Sequence, residues 1–413
     1  MMAAMQPSTF ISRGPGRRRD RCVSAEIAAL LACARPADAT GATDHLGVAL
    51  SKVGNWKTLQ DAALRHGMLG LLCRRAIDEC AEVVPAEALA ELRGLRRDIE
   101  IRTLRMIRQL LAVAGALDAA GVPVLWFKGP VLSVQLWGDP GIRNFVDLDA
   151  LVRPQHFRAA RDVVLRHGFR ECVPYDWADE SRWFLGEHDV AFFHPETDLR
   201  LELQWRVGPR FQEDSLAAEE LFEHTTSLPL LGRDLAVPDL SAFALVHVVH
   251  AGKHVWGKIE DVAVMAAVLV RLDPGETQGV GMLANRLRCR RRLHVGVLLA
   301  AGLAGAAVPA RLLAEARSDR AAKVLASVAR ARLLSAASVA EEAPSRCRSS
   351  SRALDVLWQA RSLDNGGATL RHLWRRLVTP GANEWRPVDQ ADPVWLPGWL
   401  ATLARRQRRL WRP

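Results

Sequence analysis

The chain has 413 residues, 49% of them hydrophobic, and a formal net charge of +10, with a pI of about 9.8. That length holds two or three domains rather than one average core, and the apolar fraction is that of a soluble globular protein. Seven scattered cysteines without a C-x-x-C pair exclude a disulfide framework and a zinc ribbon, and they fit a reducing cytoplasm.

The first 24 residues are rich in Gly, Pro, Ser and Arg and show no apolar period, so a disordered basic tail is expected there. Residues 25–119 read as helical. Trp56, Leu59, Ala62, Ala63 and His66 recur at three- and four-residue steps, and so do Leu89, Leu92, Leu95, Ile99, Ile101, Leu104 and Ile107. The character changes at Gly121. Residues 122–127 are short, apolar and β-rich, Gly129-Pro130 ends them, and 131–137 can form a short helix with proline at its start. A turn cluster at 138–141 leads to a second strand at 145–152, then a helix at 154–167 closed by Gly168. Residues 189–194 and 199–207 read as a hairpin. Helices resume near Asp239 and run to about 337. The apolar run 295–310 is shorter than the roughly 20 residues of a spanning helix and reads as a buried helix. Residues 338–352 read as a linker or loop, and the end of the chain as a Trp-, Pro- and Arg-rich tail. Much of the basic excess sits in the arginines of 17–21 and 405–409. It reads as solvated tails, and nucleic acid is not expected as a partner.

The sharpest chemical signal is Phe145-Val-Asp-Leu-Asp-Ala-Leu-Val152. Side chains alternate along a strand, so Asp147 and Asp149 share one face while Val146, Leu148 and Ala150 point to the core. Adjacent carboxylates repel, and a divalent cation with its demand for hard oxygen ligands removes the objection. The strand–Gly–helix unit at Lys128-Gly129 offers backbone N–H groups and a lysine to a phosphate. In Leu199-Arg-Leu-Glu-Leu-Gln-Trp205 the alternation sets Glu202 opposite the leucines, where it becomes a third acid if the two strands are neighbours. On one continuous helix, at about 100° per residue, His247, His250, His254, Lys258 and Asp261 form a single polar stripe. That stripe faces water, a three-histidine zinc site or a substrate cleft, and the last is preferred.

These segments, with Trp137-Gly-Asp-Pro-Gly-Ile-Arg143 between them, resemble a family of bacterial nucleotidyltransferases placed in the polymerase-beta superfamily. His250-Ala-Gly-Lys-His254, Trp256, Lys258 and Asp261 are similar to a helical segment of that family, and Leu396-Pro-Gly-Trp399 to its tail. Two departures stand out. Lys128-Gly129 occupies the turn that usually carries a small hydroxyl, and Gln204-Trp205 stands where the family has His-Trp.

The resemblance implies an α+β fold, a small mixed sheet flanked by helical regions on both sides. The expected organisation is a tail at 1–24, a helical region at 25–119, a nucleotidyltransferase core at 120–235, a helical domain at 236–340, and a linker and tail at 341–413. It also implies transfer of a nucleoside monophosphate from an NTP to an acceptor hydroxyl on a small molecule, sugar or peptide. Asp147, Asp149 and Glu202 would be the catalytic acids and hold two Mg²⁺ ions. Lys128, Gly129, Arg143, His254 and Lys258 would bind the nucleotide. The alternatives are an inactive relative that binds a nucleotide or a protein partner, and a helical scaffold whose D-x-D is accidental.

Overall fold

The computed structural model describes residues 23–37, 39–143, 145–172, 184, 187–208, 214–335 and 354–378. The expected N-terminal tail up to residue 22, the stretch 338–352 and the tail after 378 lie outside these residues.

Four short helices open the chain: α1 (Ala25–Cys33), α2 (Ala42–Leu50), α3 (Trp56–Arg65) and α4 (Leu69–Asp78). Ser24 and Asn55 start α1 and α3 by accepting from the backbone N–H of Ile27 and Thr58, the ordinary role of such residues at a helix start. A 3-10 turn (Ala81–Val83) marks the break before α5 (Ala86–Ala119), 34 residues long. The two ends of α5 serve different cores. Ala88 and Leu92 pack with the helices, whereas Met106, Ile107, Leu110, Val113, Ala114 and Leu117 pack against the sheet. Ile101 and Leu104 fall between those cores and stay exposed, although the period places them with the apolar stripe.

The sheet has the order β1-β2-β5-β4-β3, with β1 (Leu125–Trp126), β2 (Asp147–Leu151), β3 (Arg170–Glu171), β4 (Asp189–His194) and β5 (Leu199–Gln204). Only the β2–β5 pair is parallel; the others are antiparallel, so the sheet is mixed. Helix α6 (Gly129–Trp137) joins β1 to β2, and α7 (Phe157–Arg166) follows β2 after a 3-10 turn. The expected strand at 145–152 begins only at Asp147, so Val146 turns outward and is exposed rather than joining the core. Short strands β6 (Arg206–Val207) and β7 (Leu216–Ala217) pair, α8 (Ala218–Phe222) follows, and a hairpin forms from β8 (Thr225–Leu230) and β9 (Arg233–Pro238).

Beyond the sheet, α9 (Leu240–Lys253) starts at Asp239, whose side chain accepts from Ala242 N. It is followed by α10 (Ile259–Leu269), α11 (Pro274–Arg286), α12 (Arg290–Leu303), α13 (Ala310–Ser318) and α14 (Arg320–Leu333), then a helix at Gly366–Val378. All eleven residues of α10 are buried, which makes it the central helix of the bundle. The run at 295–310 is largely α12, and it packs in this core. Among the described residues no helix is long and apolar enough to cross a membrane. The fold is α+β, as expected, and helices from before and after the sheet share one apolar core.

Candidate functional site

The site begins where β1 gives way to α6. Gly129 has φ +61°, a conformation that costs any other L-residue energy, and a side chain there would sit 3.4 Å from the Asp147 carbonyl. This turn lays the first N–H groups of α6 beside β2. Lys128 precedes it with extended backbone angles and places Nζ 2.8 Å from Asp149 Oδ1.

Strand register supplies the acids. Asp149 lies opposite Glu202, and Leu151 opposite Gln204, on the parallel pair β2–β5. Gln204 Nε2 donates to Asp149 Oδ1 at 2.7 Å and to Glu202 at 3.0 Å. Asp149 therefore has one oxygen held by an ammonium and an amide. Its other oxygen, Oδ2, is buried without a hydrogen-bond partner. Burial, then the Asp149 charge, raises the Asp147 carboxyl above the usual carboxylate range, against the pull of Lys128 and Arg143. Burial and the neighbouring acids Asp149, Asp189 and Asp147 push Glu202 up to about 8, against Lys128. Burial works to lower the Lys128 ammonium, yet the nearby acids raise it overall. The cluster is short of positive charge.

The neighbouring strand β4 and the two residues that lead into it add groups that the sequence pattern did not single out. Glu187, His188 and Asp189 bring their donor atoms within 4.8 Å of one another, and His188 Nδ1 lies 3.1 Å from Asp189 Oδ1. Burial pushes His188 down to about 4 despite that acid. The available signal was the antiparallel pairing itself, because Asp189 lies opposite Gln204 and Ala191 opposite Glu202.

The expected polar stripe does not lie on one helix. Helix α9 ends at Lys253 and α10 begins at Ile259, with Val255 and Trp256 at φ +54° and +51° in the turn between. Such angles cost roughly 1–2 kcal/mol per residue, and burial of the Trp256 ring against Gly296 offsets them. The turn still gathers the polar residues on one side. The neutral His247 ring donates from Nε2 to the Asp261 carbonyl at 2.8 Å, so its role there is structural. The His250 and His254 rings lie 5.0 Å apart. Desolvation, then Lys253, Lys128 and Lys258, lowers His254 to about 4. Without a ligand the His254 ring is therefore neutral at pH 7. Asp261 is pushed up to about 7, chiefly by burial and by Glu260.

These parts enclose two chambers. The inner one, about 290 Å³, is lined by His188, Asp189, Glu202, Gln204 and Lys253. The outer one, about 730 Å³, is lined by Phe145, Arg143, Phe243, Lys258 and Glu260. Lys128, Asp147, His250 and His254 border both. Arg143 Nε lies 2.6 Å from Glu260 Oε1, and its Nη1 is buried without a hydrogen-bond partner. Thus Lys128, Asp147, Glu202, Arg143, His254 and Lys258 come together in one cleft, with Lys258 and Arg143 on the outer side only. Asp149 and Gly129 lie just beneath its surface and line neither chamber.

No curated protein and no solved structure matches the chain. A family model described as an uncharacterised nucleotidyltransferase matches residues 52–305, a span that contains Lys128, the three acids, Arg143, His254 and Lys258. With the helix-start lysine, the acid-bearing parallel strands and that match over more than half its length, the chain belongs to this family of nucleotidyltransferases.

Proposed function

We propose that the cleft performs metal-dependent transfer of a nucleoside monophosphate from an NTP to an acceptor hydroxyl, as in the polymerase-beta superfamily. The observation that carries this reading is the bare, buried Oδ2 of Asp149, set among three carboxylates that share one lysine. A buried carboxylate oxygen without a partner is costly, and a hard divalent cation is the natural partner for such a donor set. Asp147, Asp149 and Glu202 would hold two Mg²⁺ ions, which supply charge neutralisation of the triphosphate and activation of the hydroxyl.

The protein groups divide the remaining work. The outer chamber takes the nucleotide, with Phe145 and Phe243 beside the nucleoside and Lys128, Arg143 and Lys258 toward the triphosphate. The N–H groups at the start of α6, presented by the Gly129 turn, face the same anion. The acceptor enters the inner chamber. Its oxygen bonds to the α-phosphorus, the α–β bridging P–O bond breaks, and pyrophosphate leaves. Glu202, which lines the inner chamber, would accept the hydroxyl proton as the bond to phosphorus forms. The free thiols of Cys33, Cys73, Cys80 and Cys289, all buried, support a reducing cytoplasmic setting.

The test is a screen of NTPs labelled at the α or γ phosphate against hydroxyl acceptors, with Mg²⁺ or EDTA. Metal-dependent attachment of the α label with release of pyrophosphate is expected. Transfer of the γ label, or equal turnover in EDTA, would refute the reading. Nucleotide binding without pyrophosphate release for any acceptor would favour the inactive relative.

A further inference from the structure

One wall of the outer chamber comes from the first helical region. Leu64, Arg65 and Gly67, at the turn from α3 to α4, line it beside Arg143 and Glu260. This turn is fastened to the start of α10. Ile259 N donates to His66 Nδ1 at 3.3 Å, and Glu260 N donates to the His66 carbonyl at 3.1 Å. Two N–H groups that a helix start leaves unpaired are thereby satisfied.

Glu260 is buried, and its side chain runs back over the same turn. A Cβ on Gly67 would lie 2.2 Å from Glu260 Oε2 and 2.7 Å from its Cδ. Any other residue at 67 would displace the carboxylate, and the backbone there has φ +70°, which also favours glycine. The second oxygen, Oε1, accepts from Arg143 Nε at 2.6 Å. An acid in the first turn of a helix is ordinary. The reach of this one is not, because it leaves the bundle for an arginine that lies 117 residues earlier in the chain.

Arg143 gains a fixed plane from this bond. A guanidinium is rigid and planar, so holding Nε restricts where the terminal nitrogens can point. Nη1 is buried without a hydrogen-bond partner. Lys128, by contrast, already has its ammonium 2.8 Å from Asp149. Arg143 therefore offers a triphosphate a donor that is aimed and ordered before the nucleotide arrives.

We propose that Glu260 is a positioning residue of the nucleotide site. Seated against Gly67, it aims Arg143 at the triphosphate, so the first helical region helps to build the cleft. The inference rests on the reading of the outer chamber as the nucleotide site. Titration calorimetry of the full chain with tripolyphosphate and Mg²⁺ tests it, whatever the base. Glu260→Gln and Glu260→Ala both remove the charge, and only the glutamine leaves an oxygen for Nε. The alanine variant should bind at least about ten-fold more weakly than the glutamine variant. Glu260→Asp keeps the charge and draws it back by one methylene, so it should bind more weakly than the wild type. The fitted stoichiometry separates weaker binding from a loss of folded protein. In an Arg143→Leu background the difference between glutamine and alanine should vanish. The proposal is overturned if either shortened variant binds as tightly as its charge-matched counterpart. It also fails if the difference persists without Arg143. No binding by the wild type would overturn the nucleotide reading of the outer chamber, and this inference with it.

Discussion

Asp149 is gripped from one side and bare on the other, and the grip is the work of Lys128 and Gln204. Gln204 matters because its single amide nitrogen serves both Asp149 and Glu202. It holds two repelling carboxylates at a fixed separation without adding charge. Groups that orient metal ligands in this way typically contribute about 10–100-fold in metal affinity or activity. Gln204→Leu should therefore raise the Mg²⁺ requirement by about that factor with the fold intact, as read from a Mg²⁺ titration and a melting curve. An unchanged requirement would mean that the strands alone hold the acids. Glu202 makes a second prediction. Its carboxyl, raised to about 8 mainly by burial and by Asp149, keeps its proton in the folded chain where the unfolded chain has lost it. The stability this lends is complete below the ordinary glutamate range and disappears as pH rises through about 8. Between about pH 7.5 and 8.5 the lowered histidines are nearly neutral in both states, so they add little slope. Without metal, the melting temperature should fall across that window. Glu202→Gln should flatten the fall, and Mg²⁺ should flatten it in the wild type. Asp261, raised to about 7, contributes in the same direction and should remain in the variant.

Much of the element order was legible because the signals were local. The alternation at 189–194 and 199–204, Asp239 before α9 and the turn at Gly129-Pro130 each depend on a few adjacent residues. The face shared by Asp147 and Asp149 was legible from the same kind of period. The parallel pairing of β2 with β5, which sets Asp149 against Glu202, is a long-range choice that no local pattern encodes. The β8–β9 hairpin escaped notice because Leu231-Gly232 makes its turn, with φ +45° and +84°, where Asn-Gly is the usual signal. The α9–α10 break escaped for a related reason. Val255 and Trp256 are poor candidates for positive φ, and only packing of Trp256 against Gly296 makes the turn worthwhile. Gly129 is the readable case, and it carries a prediction. Gly129→Ala should cost about 1–2 kcal/mol in urea unfolding because of the left-handed backbone it must keep. It should weaken NTP binding as well, since the turn aims the start of α6. Loss of stability with unchanged nucleotide affinity would place the α6 N-terminus outside the phosphate site.

At the scale of the whole molecule, two apolar cores meet along α5. One is built on the sheet, and the other is shared by the first and last helices of the described chain. The cleft lies between sheet and bundle, so its geometry depends on how firmly α9 and α12 hold to the sheet side. One side chain does much of this. Arg292 on α12 is fully buried beside Asp214, at 2.5 Å. It also donates to the Val249 carbonyl on α9 at 2.8 Å and to Ser362 Oγ at 3.1 Å. Gly252 makes room for it, because a Cβ there would lie 2.8 Å from Nη1. Removing one partner of a buried pair strands the other charge and costs about 3–5 kcal/mol, whereas removing both with apolar replacements is often close to neutral. Arg292→Leu should therefore lower the unfolding free energy by about that amount in urea titration. The double variant Arg292→Leu/Asp214→Leu should recover a substantial part of the loss. If the double variant is no more stable than the single one, the stranded Asp214 charge is not the source of the loss. The bonds to Val249 and Ser362 would then be what fasten α12 to the rest of the molecule.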